Sequence, residues 1–256
     1  MTPSCTHLVI IPSYNTGSVL LQRTVLEAAV SWSPVWVVID GSTDGSDAAL
    51  DDQAGIRVLR RASNGGKGAA IRSALDEAAA QGFTHALTMD ADGQHPADHI
   101  GRFMAASLAA PGALVLGVPQ FGPDAPALRV KGRRISNWWA NLETLWMGID
   151  DSLFGFRVYP VGPLRIALAA STGMRGFDFE PEAAVRLVWM GVVPLNLPAP
   201  VLYPAAIDGG VSHFQYGRDN VLLTWMHVRL MMGMLLRLPV LIRRRAAAVP
   251  RAAPRP

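Results

Sequence analysis

Short β-branched or apolar runs punctuate the first half of this chain, at residues 8–11, 35–39, 56–59, 86–89 and 113–118. Between the first two, residues 19–32 place Leu20, Val25, Leu26, Ala29 and Val30 at helical spacing. Residues 68–81 set Ile71, Ala74, Leu75 and Ala78 on one helical face and Arg72, Asp76 and Glu77 off it. A further helix is expected after Pro96. Strands apolar on both faces and separated by helices fit a doubly wound, mainly parallel α/β sheet with helices on both sides. Ligands of such sheets bind beyond the carboxyl ends of the strands. The polar segments Ser13-Tyr14-Asn15, Asp40-Gly41-Ser42 and residues 90–94 all fall at that edge.

The third of these segments, Thr88-Met89-Asp90-Ala91-Asp92-Gly93-Gln94-His95, carries the most specific chemistry. If the chain stays extended, Asp90 and Asp92 point the same way and Ala91 points back into the protein. Two carboxylates this close repel unless a cation lies between them. A hard ion, Mg²⁺ or Mn²⁺, that also bridges substrate phosphates suits the pair. Gln94 adds a neutral oxygen on the same side. The plainer alternative is a solvated Asp-rich turn after a strand.

Other nucleotide and metal motifs fail on specific residues. In Asn64-Gly65-Gly66-Lys67-Gly68 the lysine is followed by glycine rather than Ser or Thr, and Arg61 stands where a P-loop needs its first glycine. No Gly-x-Gly-x-x-Gly follows the first strand. An EF-hand loop beginning at Asp90 would need Glu where Gly101 stands. A haloacid-dehalogenase-type phosphatase remains the rival, although Gln94 replaces the Thr or Val usual after its Asp-x-Asp-Gly.

Composition narrows the class. Half of the 256 residues are hydrophobic and 17% are charged, which excludes a disordered or nucleic-acid-coating chain. The net charge of +3 is concentrated at the C-terminus, in Arg243, Arg244, Arg245, Arg251 and Arg255. A basic tail after an apolar stretch suits an anionic membrane surface better than DNA. The single cysteine, Cys5, excludes an internal disulfide and fits a reducing compartment. No signal-peptide pattern precedes residues 8–12, so the catalytic part is expected in the cytoplasm.

Six segments taken in order resemble family-2 glycosyltransferases of GT-A fold. They are Ile11-Pro12-Ser13-Tyr14-Asn15, residues 38–46 (Val-Ile-Asp-Gly-Ser-Thr-Asp-Gly-Ser), Asn64-Gly65-Gly66-Lys67-Gly68, residues 89–95, Phe154-Gly155-Phe156-Arg157 and Phe179-Glu180-Pro181-Glu182. The likeness covers about residues 7–215 and is greatest to the polyprenyl-phosphate, dolichol-phosphate mannose synthase-like branch. It implies a nucleotide-sugar donor, a lipid acceptor and inversion at the anomeric carbon. By the same resemblance Pro12, Tyr14 and Asn15 pack on base and ribose, Asp40 contacts the base, and Lys67 lies near the nucleotide. Asp90, Asp92 and Gln94 match the metal and diphosphate site. Ile39 departs from the pattern by standing at the first Asp of Asp-Asp-Gly-Ser.

Transfer puts negative charge on the leaving diphosphate, and a metal at Asp90 and Asp92 would offset it. A hydroxyl acceptor also needs a base, for which Glu180 and Glu182 are candidates. Two residues apart on a helix, they diverge, so one of them is expected to face the site. A phosphate acceptor needs cations instead, and Arg133, Arg134, Arg157 and His213 are available. His213 stands where the resembling branch commonly has lysine.

The expected organisation is a catalytic domain over residues 1–215, an amphipathic segment over 216–245 and an Ala/Arg/Pro tail over 246–256. Residues 221–242 are rich in Leu and Met, but His227, Arg229 and Arg237 interrupt them and Pro239 follows. A bilayer span needs about 20 predominantly apolar residues, and central arginines cost about 2.5–3.5 kcal/mol each. An interfacial helix with its arginines at the headgroups fits better, with a helix packed on the catalytic domain as the alternative. Trp138, Trp139 and Trp146 are expected to pack in the core rather than edge an acceptor groove. The resulting expectation is a metal-dependent glycosyltransferase, peripheral on the cytoplasmic membrane face, acting on a polyprenyl phosphate. Transfer to a lipid hydroxyl, or nucleotide-sugar binding without turnover, are the alternatives.

Overall fold

The computed structural model describes residues 6–122, 127–202 and 216–248. Its centre is a seven-stranded sheet built from β1 (His7–Ser13), β2 (Val35–Asp40), β3 (Ile56–Arg61), β4 (His85–Thr88), β5 (Ala113–Gln120), β6 (Arg157–Pro160) and β7 (Val193–Pro200). The strand order is β3-β2-β1-β4-β6-β5-β7. All neighbours pair parallel except β6, which runs antiparallel to both β4 and β5.

Alternation in the central strand divides the interior into two layers. Leu8 and Ile10 point to one face with Trp36, Val38 and Ala86; Val9 and Ile11 point to the other with Val37, Ile39 and Leu87. All four β1 residues are fully buried, as a central parallel strand covered on both sides requires. The first face is covered by α2 (Lys67–Ala80), α5 (Val161–Ala169) and α6 (Phe179–Met190), the second by α1 (Ser18–Ser31) and α3 (Ile100–Ala109). The helices predicted at residues 19–32 and 68–81 and the five predicted strands are all present, displaced by one or two residues at their ends. β7 carries Pro194, Pro198 and Pro200, which a sheet edge tolerates because one side of the strand lacks a partner.

Two further helices lie outside this frame. α4 (Ala127–Glu143) and α7 (Tyr216–Ala248) pack on each other and on α6. α7 has 33 residues, about 50 Å of helix. It buries Met226, Leu230, Met234 and Leu241 in the same layer as α6. The helix is therefore docked on the domain along one face, which answers the packing alternative without removing its second, exposed face.

Candidate active site

Three loops at the carboxyl edge of the sheet are stapled into one surface. Asn15 adopts a left-handed φ of 47°, its N–H donates to Ser42 Oγ at 3.1 Å, and its side-chain oxygen accepts from Thr43 N–H at 2.8 Å. This joins the loop after β1 to the loop after β2, with Tyr14 left 37% exposed on the rim. Asp40, at the end of β2, accepts from Gly65 N–H and, at 2.8 Å, from Gly66 N–H, and pairs with Arg61 at 2.9 Å. Gly41 makes that approach feasible. Its φ is +67°, and a Cβ there would lie 2.5 Å from the backbone nitrogen of Asn64.

β4 stops at Thr88, and the chain turns through residues 91–93 with Gly93 at φ 72°. Asp90, Asp92 and Gln94 are thus presented by a turn, not by an extended strand. They nevertheless line one cavity of about 100 Å³ with Phe121 and Arg133. One Asp92 oxygen accepts the Gln94 N–H at 3.0 Å and fixes the turn. Burial, and then the charge of Asp90, push the Asp92 carboxyl up to about 6. Asp90 moves the other way: burial opposes ionisation, but Lys67, His95 and Arg157 together outweigh it and lower the pKa.

His95 supports this arrangement from behind. Its Nδ1 accepts the Asp90 backbone N–H at 2.9 Å, so its proton is on Nε2, 3.6 Å from the Asp90 carboxylate. Phe154 packs edge-on against its ring at 4.7 Å. Burial holds the imidazole neutral, with a pKa near 4. The motif's last residue was visible in sequence, but nothing local signalled that it would brace the backbone of its first aspartate.

Arg133 reaches the cavity from α4. Asp151, itself 2% exposed, holds it at 2.6 Å and also accepts from Leu153 and Phe154 N–H. Arg134, one residue on, is exposed and does not line the cavity.

Residues 8–165 match the family described as glycosyl transferase family 2. The chain belongs to this family. Its relatives include an undecaprenyl-phosphate mannosyltransferase of Micrococcus luteus, 28% identical over 80% of this chain and 88% of that protein. A polyprenol monophosphomannose synthase of Mycolicibacterium smegmatis is also 28% identical, over 77% of each chain. Among solved structures, glucosyl-3-phosphoglycerate synthase from Mycobacterium tuberculosis, in complex with Mn²⁺, UDP and glucosyl-3-phosphoglycerate, superposes with a TM-score of 0.57. That match covers 91% of this chain and 79% of the other at 18% identity, a likeness of fold of the GT-A type. Family membership removes the phosphatase alternative and makes the protein a glycosyltransferase.

Several residues of this glycosyltransferase have other tasks than those expected. Asp40 is 2% exposed, and both its oxygens serve the glycine loop and Arg61, so its carboxylate braces that loop and is not presented at the surface as expected for a base contact. Ile39 is buried and packs in the core. Arg157 is fully buried and donates to the carbonyls of Phe154 (2.7 Å), Glu180 (2.7 Å) and Asp151 (3.2 Å). It ties β6 to the 151–154 loop and the start of α6 and has no face toward an acceptor. Glu180 and Glu182 diverge as expected. Glu180 meets Lys67, whereas Glu182 accepts from Ser171 (2.5 Å), Arg186 (2.7 Å) and Arg229 (3.0 Å), away from the cavity. Glu182 is therefore a structural anchor, not a base. His213 lies outside the described residues. Trp139 stacks on His227, but Trp138 and Trp146 are each 51% exposed, so core packing accounts for only one of the three tryptophans.

Proposed function

We propose that this glycosyltransferase moves a mannosyl group from a nucleoside-diphosphate mannose to a polyprenyl phosphate at a membrane surface, with Mg²⁺ or Mn²⁺. The activities named for the M. luteus and M. smegmatis relatives support the sugar and the acceptor class. The Mn²⁺ complex of the structural neighbour supports the ion. Asp90, Asp92 and Gln94 fit such an ion because they bring two carboxylates and an amide oxygen to one cavity. No group of three acidic, histidine or cysteine side chains converges among the described residues. Mg²⁺ sites of this kind take their remaining ligands from water and substrate phosphates. The ion would supply Lewis-acid stabilisation of the leaving diphosphate, an electrostatic contribution of about 3–4 kcal/mol.

In the reaction an acceptor oxygen attacks the anomeric carbon as the bond to the nucleoside diphosphate breaks, and the electron pair leaves with the diphosphate. Single displacement inverts the anomeric centre. The observation that carries the phosphate acceptor is the lining of the cavity. Among the described residues that line it, Arg133 is the one cation, and Asp90 and Asp92 are the carboxylates. A hydroxyl acceptor would need a free base, and Glu180 is engaged by Lys67. An anionic phosphate oxygen needs none, and Arg133, held rigid by Asp151, can orient it.

α7 supports the membrane. Val221, Trp225, Val228, Met232, Leu235, Pro239 and Ile242 recur at alternating steps of four and three, and all are exposed. Three of its arginines contact the domain, where the sequence suggested that they stand free. Arg229 binds Glu182 and Thr172, Arg237 lies over the Trp189 ring at 4.9 Å, and Arg244 donates to the Trp189 carbonyl. With these three side chains engaged by the domain, the stripe from Val221 to Ile242 is apolar, and the exposed Arg243 and Arg245 follow it. Only 22% of the most apolar stretch is buried, unlike a core helix. This face supports an interfacial position, and the terminal arginines favour the anionic lipid of a cytoplasmic leaflet.

The acceptor assignment is tested with vesicles carrying either polyprenyl phosphate or the corresponding polyprenol, a panel of nucleotide sugars and Mn²⁺. Product is expected only with the phosphate. Equal transfer to the alcohol would refute the phosphate acceptor.

A further inference from the structure

Lys67 is the first residue of α2, and its ammonium bonds both Asp90, at the end of β4, and Glu180, in the first turn of α6. Burial alone would lower its pKa, but the two carboxylates more than reverse this, and the ammonium stays charged. Gly155 leaves space for this cluster. A Cβ on Gly155 would lie 2.8 Å from Lys67 Nζ and 3.0 and 3.3 Å from the Asp90 carboxylate oxygens, so a side chain here would displace the ion pair. Asp92 has no comparable partner among the described residues, and its bonded oxygen goes to a backbone N–H. The two aspartates are thus unequal: one is already neutralised by the protein's own cation and the other faces the cavity alone.

We propose that Lys67 is a resident counter-ion of the donor site, competing with the divalent cation for Asp90 and released toward the donor diphosphate when that cation binds. This deepens the reading given under the proposed function and rests on it. While Lys67 holds Asp90, the site has lost much of its attraction for a free dication, so metal alone binds weakly. Once Asp90 turns to the metal, the ammonium keeps only Glu180, and the incoming diphosphate offers it a second anionic partner. Metal and nucleotide then bind cooperatively, with Lys67 as the coupling element. The residue positions the site; no bond to the sugar is made or broken by it.

The test is Mn²⁺ titration, followed by electron paramagnetic resonance, of the full chain and its variants without nucleotide. Lys67→Met and Lys67→Gln remove the competing charge and are expected to bind Mn²⁺ about tenfold more tightly than wild type. At saturating Mn²⁺ both should bind the nucleoside diphosphate about tenfold more weakly. Lys67→Arg keeps the charge and should leave Mn²⁺ affinity near wild type. A merely structural lysine predicts the reverse, since its loss would disorder Asp90 and weaken Mn²⁺ binding. Thermal melts of each variant establish that it is folded. If both neutral variants bind Mn²⁺ no more tightly than wild type while Asp92→Asn binds it more weakly, the counter-ion proposal is overturned. If Asp92→Asn and wild type bind Mn²⁺ alike, the metal assignment falls and this proposal with it.

Discussion

At the carboxyl edge of the sheet, Asp90, Asp92 and Arg133 crowd a cavity whose walls are otherwise Gln94, His95 and apolar side chains. Along α7 the arrangement is inverted: Arg229, Arg237 and Arg244 lie against the domain, and a stripe of apolar residues from Val221 to Ile242 faces out. A surface that gathers charge at a concave point suits a small anionic ligand with its counter-ion. A surface that hides charge over a long convex face suits a lipid boundary. A polyprenyl phosphate has both characters in one molecule, a charged head and an apolar tail. The contrast between the two regions is thus the physical basis of the acceptor assignment.

The largest effect expected from breaking that contrast is at Glu182. Its carboxylate is 1% exposed and holds Arg186 of its own helix and Arg229 of α7, so it ties α7 to α6. Glu182→Ala should lower stability by about 3 kcal/mol, because it leaves a cavity at a buried position and removes the shared partner of two half-buried guanidinium groups. Denaturant unfolding measures this, and nucleotide affinity should be unchanged. A loss of catalysis with stability intact would restore Glu182 as a base.

Next comes the outer face itself. Trp225 and Val228 are 62% and 47% exposed. Trp225→Ser combined with Val228→Ser should leave the fold intact and cost about 3 kcal/mol of membrane partition, roughly a hundredfold, in flotation with anionic vesicles. High salt should only partly detach the unaltered protein, since screening does not weaken apolar burial. Retained flotation of the double variant would show that α7 is not the docking face.

These two predictions rest on side-chain directions the sequence did not disclose. The periodicity of residues 19–32 and 68–81 and the apolar runs of β1 to β5 were legible because a whole face is repeated. β6 was not, since it has four residues, begins with arginine and runs antiparallel between β4 and β5. β7 was masked by its three prolines. In the site, spacing was enough to bring Asp90, Asp92 and Gln94 to one cavity, although the turn that does it was mistaken for extended chain. The partners of Lys67, Arg157 and Glu182 come from elements far apart in sequence. Their pairings are properties of the packed helices, and local pattern gives no sign of which cation is spent inside. Arg229 and Arg244 of α7 are the clearest case, identical by composition to headgroup ligands but bonded to Glu182 and to the Trp189 carbonyl.

A third region, at the amino edge of the sheet, serves as a control and should give the smallest effect. His7 stacks on His85 with ring centroids 4.4 Å apart and bonds Ser107 at 3.0 Å. Burial, then the neighbouring His85, lower its pKa from 6.5 to about 4. Below pH 6.5 the unfolded chain therefore binds a proton that the folded chain refuses. Stability should be full above that pH and fall progressively as pH drops toward 4, read as a falling Tm. His7→Gln should flatten that part of the profile, while vesicle binding at constant pH stays unchanged.

The central claim is that the Asp90–Asp92 cavity holds the donor diphosphate through a divalent ion. Calorimetric titration of nucleoside diphosphate into wild type and Asp92→Asn, with Mn²⁺ and with chelator, tests it most directly. Wild type with Mn²⁺ should bind at least about tenfold more tightly than with chelator, a difference of about 1.4 kcal/mol or more. Asp92→Asn with Mn²⁺ should match chelated wild type. Affinity that is the same in all of these conditions would contradict the claim.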